Sequence, residues 1–504
     1  MMSRIDHALD GITTYRLVLY VLAAYVALAT ILAGFGLLPF APLALLGSAA
    51  FLVLICWAAN SVLRRVLGVP ANLESAAITG LILALILDPA QSLNDLQILF
   101  WAAILAMSSK YILTLRNTHI FNPAALAAVV ISFALGRSAS WWVGTASMLP
   151  IVLLGGLLIV RKLRDAKMVA SFLAAALVAV WLVSIVLRLS ISRELQQLLV
   201  ESPLFFFGSI MLTEPVTAPA TRTLKVLYGA LVSVLIIPQI HVGALYSTPE
   251  LALLVGNLAS FVASPKRTMV LQLKKKSKLA PDTLAFAFKP SHKPTFTPGQ
   301  YVELTIDHPR ADSRGNRRYF TLASSPTEDL VQLGVRFYKP GSSFKRALHA
   351  TSTGAKITAG HIAGDFTLPS DRRQKLTFIA GGIGITPFRS MLKYLLDTQQ
   401  RRDIVLLYAN RAPADIAYRD VLSEAQAKLG VKMVYTLTEA APRDWTGSTG
   451  RIDAQMIRKA VPDYRERVFY LSGPPAMVRE HEHILRALGI ARNRIKTDSF
   501  AGLT

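Results

Sequence analysis

One cysteine, Cys56, stands in 504 residues. An iron–sulfur cluster needs about four thiolates, so this chain alone holds none, and no disulfide closes within it. Cys56 lies in FLVLICWAA and reads as a small apolar residue of a membrane helix. Histidine is also scarce in the first half, with His7, His119 and His241 only. A haem needs facing axial ligands. His119 and His241 fall at opposite faces of the expected bundle, so a haem between them is disfavoured, and His119 in NTHIFNP reads as a polar residue at a helix start. No metal site is expected. Acid is the scarcer charge, 31 Asp+Glu against 54 Lys+Arg, for a net +23. So basic a chain raises nucleic acid as a partner. The basic residues sit at helix ends in one half and are spread over a nucleotide-binding pattern in the other. Anionic lipid and phosphate-bearing cofactors are therefore expected, and nucleic acid is not.

Apolar residues are 53% of the chain and mean hydropathy is +0.43. Residues 1–265 hold 15 Lys+Arg against 10 Asp+Glu, net +5, and the remainder carries +18. The expected organisation is a transmembrane bundle over 1–265, a barrel over 266–372 and an α/β domain over 373–504. A span needs about 20 apolar residues. About ten segments qualify, near 17–38, 41–60, 74–89, 94–113, 120–136, 142–160, 168–188, 201–214, 223–240 and 246–262. The first run reads as an uncleaved helix. The positive-inside rule places Arg64, Arg65, Lys110, Arg116, Arg161, Lys162, Arg164, Lys167, Arg222, Lys225, Lys266 and Arg267 in cytoplasmic loops. Both termini and the soluble half then face the cytoplasm from a bacterial-type inner membrane.

Two short segments end in acid-proline, LILALILDPA and GSIMLTEPVT, with Asp88 and Glu214 offset by 126 residues. Asn122-Pro123 and Thr248-Pro249 repeat that offset. Two pairs at one offset predict an internal duplication. Five helices per copy would invert the second copy, with a ligand site at interrupted helices. Asp88, Asn122, Glu214 and Thr217 are the candidate membrane-site residues. The plainer reading is that each acid-proline pair ends a helix at the interface. RNTHIFNPAALAAVV and MLTEPVTAPATRTLKVLYG resemble the membrane flavin subunits of the Rnf complex and of the sodium-translocating NADH:quinone oxidoreductase, over roughly 15–262. The resemblance implies a ten-helix inverted-repeat bundle that carries electrons. Those subunits attach FMN to a threonine of an Asp-x-x-[Ser/Thr]-Gly-Ala-Thr segment. That segment is missing here, so a non-covalent second flavin, a quinone or an empty scaffold is implied instead.

SPKRTMVLQLKKKSK, from Ser264, reads as a membrane-proximal linker entering a strand whose lysines face solvent near anionic lipid. From 268 to about 370, short alternating strands with Gly/Pro turns predict a small antiparallel barrel. In RRYFTLASSP, Arg318 and Phe320 share a strand face, suiting a phosphate and an aromatic ring, although the pattern also fits an ordinary edge strand. VRFYKPGSSFKRALHA predicts a strand, a turn and a helix start suited to phosphate. Beyond 374, strands alternate with helices, hence a parallel sheet. In KLTFIAGGIGITPF, Gly381, Gly382 and Gly384 permit close approach of a pyrophosphate. Thr386 is expected to cap the next helix, with Pro387 in its first turn.

The order PGQY, Arg318-Tyr319-Phe320-Thr321, the Gly-Ser-Ser turn, GDF, GGIGITP and SGPPAM resembles the ferredoxin–NADP reductase family over about 266–504. The resemblance implies FAD and NAD(P)H as cofactors. Arg318 would hold FAD phosphate with Tyr319 beside it, Phe320 would stack on the flavin, and Thr321 would meet its N5 region. Ser343, Phe344 and Lys345 would line the pyrophosphate. Gly382, Gly384, Ile385, Thr386 and Pro387, with Gly473, Pro474 and Pro475, would hold the nicotinamide coenzyme. Asp498 and Phe500 would border the flavin. Ser472 stands where a cysteine usually adjoins the nicotinamide, and Phe320 where tyrosine is frequent. The expected function is a membrane-bound NAD(P)H oxidoreductase passing electrons through FAD to a quinone or a flavin in the bundle. The competing readings are a redox-driven ion transporter and a haem-type ferric reductase.

Overall fold

The computed structural model describes residues 9, 12–67, 73–115, 118–163, 165–237, 239, 241–243, 245–264, 268–308, 312, 316–338, 341–439 and 441–498. His7, Arg116, Arg164, Lys266, Arg267 and Phe500 lie outside them. The described residues divide into two compact units, one up to residue 264 and one over 268–498.

In the first unit the helices are α1 (Thr14–Gly34), α2 (Pro42–Leu67), α3 (Leu73–Ile86) and α4 (Leu93–Ile112), then strands β1 (Thr114–Leu115) and β2 (Thr118–His119), then α5 (Pro123–Leu135). There follow α6 (Leu149–Leu163), α7 (Ala166–Val186), α8 (Ile191–Val200) and α9 (Leu204–Phe206, continued by a π-helical turn, Phe207–Met211). After α10 (Arg222–Leu235) come β3 (His241–Val242), β4 (Leu245–Tyr246) and α11 (Pro249–Ala263). By length and composition α1, α2 and α7 can each cross a membrane. Many helix faces are apolar and exposed, as at Leu54, Trp57, Val178 and Trp181, as lipid requires.

The two Xaa-Pro sites at the 126-residue offset have similar surroundings. An antiparallel hairpin, β1–β2, precedes α5, and a second, β3–β4, precedes α11. In each copy a polar side chain caps the helix and proline follows. Asn122 accepts from the Ala125 N–H, and Thr248 from that of Leu251. The expected spans run up to 113 and 240 and resume at 120 and 246. Between them the chain turns back in both places, in the second through Gly243 at a positive φ of 60°, where a helix cannot continue. The expected spans also leave 189–200 as a loop, and the chain forms α8 there. Its apolar Ile191, Leu195, Leu198 and Leu199 recur at helical spacing, and Leu198 and Leu199 pack on the bundle core.

Small residues set the helix approach. A Cβ on Gly80 would fall 2.8 Å from the backbone of Val53, and one on Gly229 2.6 Å from the Met168 carbonyl. Some basic residues assigned to loops are structural. Lys110 lies within α4 and donates to Ser75 O, Ser75 Oγ and Thr79 Oγ1 of α3 at 3.1, 3.0 and 2.9 Å. Lys225, in the first turn of α10, reaches Asp165 at 2.6 Å.

The second unit opens with a six-stranded antiparallel sheet, β5 (Met269–Ala280), β6 (Thr283–Pro290), β7 (Tyr301–Thr305), β8 (Arg317–Thr321), β9 (Val331–Arg336) and, after helix α12 (Ser343–Ala350), β10 (Lys356–Ala363). Its order is β8-β7-β10-β5-β6-β9. The edges meet beyond β8, where the Ala323 N–H donates to Gln332 O at 2.8 Å, closing a barrel around Leu271, Phe286, Phe288, Leu304 and Leu333. A parallel sheet follows, of β11 (Leu376–Gly381), β12 (Ile404–Asn410), β13 (Lys432–Leu437), β14 (Ser448–Thr449), β15 (Val468–Ser472) and β16 (Ile495–Asp498), ordered β14-β13-β12-β11-β15-β16. Its helices are α13 (Thr386–Asp397), α14 (Arg419–Leu429), α15 (Ala454–Ala460) and α16 (Pro475–Ala487). The strand β11 is buried throughout, as a two-sided parallel strand must be. Barrel and sheet are locked by Arg389 of α13. It pairs with Glu328 and donates to Ala323 O at 3.0 Å, while Ser390 donates to Ser324 O at 2.6 Å.

Candidate functional site

Strand order reverses between β11 and β15, where ligands of open α/β sheets sit. The loops after these strands touch there. A Cβ on Gly384 would lie 2.4 Å from Ser472 O, so only glycine lets them close together. Gly382 has φ +52°, a left-handed conformation that glycine adopts without strain. From Gly382 to Ile385 the chain forms a tight turn that runs directly into α13. The expected Thr386 cap is therefore corrected. Thr386 is already helical, and its hydroxyl donates back to Ile383 O at 3.1 Å instead of receiving an N–H. Ile385, Thr386 and Pro387 are buried beneath the loop. Gly473 and Pro474 form the opposite wall, and Pro475 starts α16.

At the same edge three side chains converge from separate strands. Ser472 ends β15 and Asp498 ends β16, in register. Ser472 Oγ donates to Asp498 Oδ2 at 3.1 Å, and Thr321 Oγ1 of β8 donates to the same oxygen at 3.4 Å. Desolvation pushes the Asp498 carboxyl up to about 7, against the two hydroxyl hydrogen bonds that pull it down. A carboxyl at that value holds or releases a proton near neutrality.

Across the barrel face, Arg318 is buried and lies over the Phe344 ring at 5.5 Å, with Phe320 stacked on the same ring at 5.9 Å. Phe344 is fully buried, so its ring is a packing element, and only its backbone could face a ligand. Tyr319, on the other strand face, packs edge-on to Tyr301. At the start of α12, Ser342 caps the Lys345 N–H, and Lys345 Nζ donates to Arg336 O at 2.8 Å. Asp312 tests what this corner accepts. Its Oδ2 receives the Ser343 N–H at 2.9 Å, and its Oδ1 lies 3.5 Å from Arg318 Nη2. A carboxylate thus occupies the donors a phosphate would use, and the corner fits an anionic group.

In the membrane unit Glu214 gathers a polar cluster. Asn122 Nδ2 donates to Glu214 Oε2 at 2.8 Å and Thr217 Oγ1 to the same oxygen at 3.2 Å. His119 Nε2 lies 3.5 Å from Oε1. His119 is thus a hairpin residue facing a carboxylate, not a helix-start residue. Asn257 of α11 accepts the Asn122 N–H at 2.8 Å and donates to Tyr228 OH at 2.9 Å. A small cavity beside His119, Thr217, Asn257 and Ser260 has room for about one water. The cluster therefore joins Asn122, Glu214 and Thr217. Asp88, expected to match Glu214, is exposed. At that end of the repeat the structure uses other groups. Trp142 Nε1 donates to Ala84 O and Leu87 O at 3.0 Å, capping α3, and Trp141 Nε1 donates to buried Glu250 at 2.9 Å. Glu250 is not among the expected site residues, although an acid one residue after Thr248-Pro249 in an apolar run is an available signal.

Comparison with known proteins finds a matching family model within each half. Residues 133–263 match the NQR2, RnfD, RnfE family, and residues 378–483 match the oxidoreductase NAD-binding domain. The chain is 30% identical over 288 residues to a nitrate reductase [NADPH] of Emericella nidulans, covering 50% of this chain and 33% of that one. It is 28% identical over 226 residues to the stachydrine N-demethylase reductase subunit Stc4 of Rhizobium meliloti, covering 44% and 63%. The crystal structure of the Amycolatopsis cytochrome P450 reductase GcoB aligns over 47% of this chain and 70% of that one, with a TM-score of 0.43 and 26% identity. The chain spans from a third to less than two thirds of the length of these curated relatives.

Proposed function

We propose that this chain, which joins a membrane unit of the NQR2, RnfD, RnfE family to an oxidoreductase NAD-binding domain, passes electrons from NAD(P)H through FAD to an acceptor in the membrane. The observation that carries the reading is the meeting of Thr321, Ser472 and Asp498 at the switch point, with a phosphate-suited corner on the same unit. FAD fits that corner, where Arg318 and the amides of Ser343 to Lys345 would hold its phosphates and Phe320 would lie beside its ring. When bound, it supplies hydride acceptance at N5 and one-electron release. The chain's own groups bind and orient. Gly382 and Gly384 admit the coenzyme pyrophosphate to backbone N–H groups, Gly473 to Pro475 bound the nicotinamide side, and the Asp498 carboxyl, accepting from the Thr321 and Ser472 hydroxyls, holds or releases a proton. The acceptor is a quinone or a second, non-covalent flavin in the bundle, consistent with the missing FMN-attachment segment.

Purified chain precipitated with acid should release one FAD per chain into the supernatant, and NAD(P)H should bleach that flavin under anaerobic conditions. Flavin retained in the pellet would restore covalent attachment. Failure of either coenzyme to bleach the flavin would sink the reading. The Glu214 cluster favours one second reading, ion coupling, because ionisable residues within a membrane bundle are rare and mark ion pathways. Sodium or proton dependence of coenzyme oxidation in sealed proteoliposomes, absent in detergent, supports it.

A further inference from the structure

We infer that the chain selects NADH over NADPH and that Glu439 makes the choice, a deepening that rests on the reductase reading above. The nicotinamide end of the coenzyme belongs beside Ser472 and Asp498, on the β15–β16 side of β11. The glycine loop after β11 takes the pyrophosphate. The adenosine end must then run the other way, over the carboxyl ends of β12 and β13, which lie one and two strands from β11, about 10 Å at ordinary sheet spacing.

Two residues stand at those ends. Arg411 follows β12 directly, and Glu439 lies two residues beyond β13. Their backbones are joined, since the Glu439 N–H donates to Arg411 O at 3.3 Å and the Thr438 N–H to Asn410 O at 2.9 Å. Alone, Arg411 would suit a ribose 2′-phosphate. It is surrounded by acid instead. Asp282 lies 3.8 Å from its Nη2, and Asp415 and Glu439 lie 3.8 and 4.0 Å from its Nε. Three carboxylates around one guanidinium leave an excess of negative charge, which repels a phosphate and accepts a hydroxyl proton. Asp415 is committed, because its carboxylate also accepts the Ala412 N–H at 3.3 Å. Glu439 is mostly exposed and, among the described residues, is held through its backbone and one long ion-pair contact. Asp282 lies in the β5–β6 turn of the barrel and not at a strand end of the parallel sheet, so Glu439 is the carboxylate placed to accept from a ribose 2′-hydroxyl.

The test is titration calorimetry of the detergent-solubilised full chain with NAD+ and with NADP+, alongside anaerobic bleaching of its flavin by NADH and by NADPH. NAD+ should bind tighter on the order of 100-fold, the scale of a like-charge penalty at a binding site. Glu439→Gln should shrink that ratio about tenfold by weakening NAD+ and strengthening NADP+. NADP+ binding as tightly as NAD+, or a ratio untouched by Glu439→Gln, overturns the inference while leaving the reductase reading intact. If neither coenzyme binds or bleaches the flavin, the reductase reading fails and the inference falls with it.

Discussion

Asp498 and Ser472 end adjacent parallel strands with the carboxylate Oδ2 3.1 Å from the serine Oγ, and the hydroxyl of Thr321 reaches the same oxygen from the barrel. A half-buried acid is thereby placed among hydroxyls. Its carboxyl is raised to about 7. Such a group favours the folded state fully below its unfolded value near 4, and that contribution is lost as pH rises through about 7. Asp498→Asn removes the cost. The variant should match the parent near pH 4 and melt higher at pH 8, with a gain of at most about 4 kcal/mol. The flavin-reduction rate of the parent should show an ionisation near 7 that the variant lacks. Melting curves at the two pH values and a stopped-flow pH profile check both outcomes.

Gly384→Ala should separate the two coenzyme loops. The new methyl would stand 2.4 Å from Ser472 O, a backbone atom that cannot turn aside. Overpacking of this kind costs about 1–3 kcal/mol. Coenzyme-driven bleaching should be lost, while bound FAD, held on the barrel, should remain. Retention of normal bleaching in the variant would contradict the described loop contact.

Arg318→Gln should release FAD. The guanidinium is buried and flanked by the Phe344 ring and the start of α12. A hydrogen bond to a charged group contributes about 1.5–3 kcal/mol, so the flavin dissociation constant should rise at least about tenfold. Flavin retained on gel filtration at low micromolar chain reads this directly.

Asn122→Ala should weaken the bundle twice over. It removes the cap of α5, worth about 0.5–2 kcal/mol, and one donor to Glu214. Pairing it with Glu214→Gln in a double-mutant cycle should give a coupling of about 0.5–3 kcal/mol, because the two side chains share a hydrogen bond. Thermal unfolding of the four forms in detergent measures it, and an additive result removes the interaction.

Legibility in the sequence follows the range of the interaction. The helical spans and the alternation of strand and helix rest on local periodicity, and the glycine loop and Arg318-Tyr319-Phe320-Thr321 are contiguous. Contacts far apart in sequence are not visible in the same way. Nothing near Glu250 announces Trp141, and nothing near Asp312 announces Ser343. The Asp88 and Glu214 symmetry is real in the chain and is not kept in the side chains. Glu214 finds Asn122, whereas Asp88 is exposed and two tryptophans serve its end of the repeat. Thr386 misleads because threonine before proline usually caps, and here a tight turn already feeds the helix.

The indole of Trp142 fastens the last carbonyls of α3, and the Trp141 backbone N–H takes Ile86 O at 3.0 Å while its indole holds Glu250 of α11. The end of α3 is therefore tethered to the segment before α6 and, through it, to α11. Any axial sliding or rotation of α3 would drag this double indole and strain α11 with it. The end of α3 and α11 are linked through Trp141, and moving one without the other means breaking the Trp141–Glu250 hydrogen bond or the contacts of the tryptophan pair with α3.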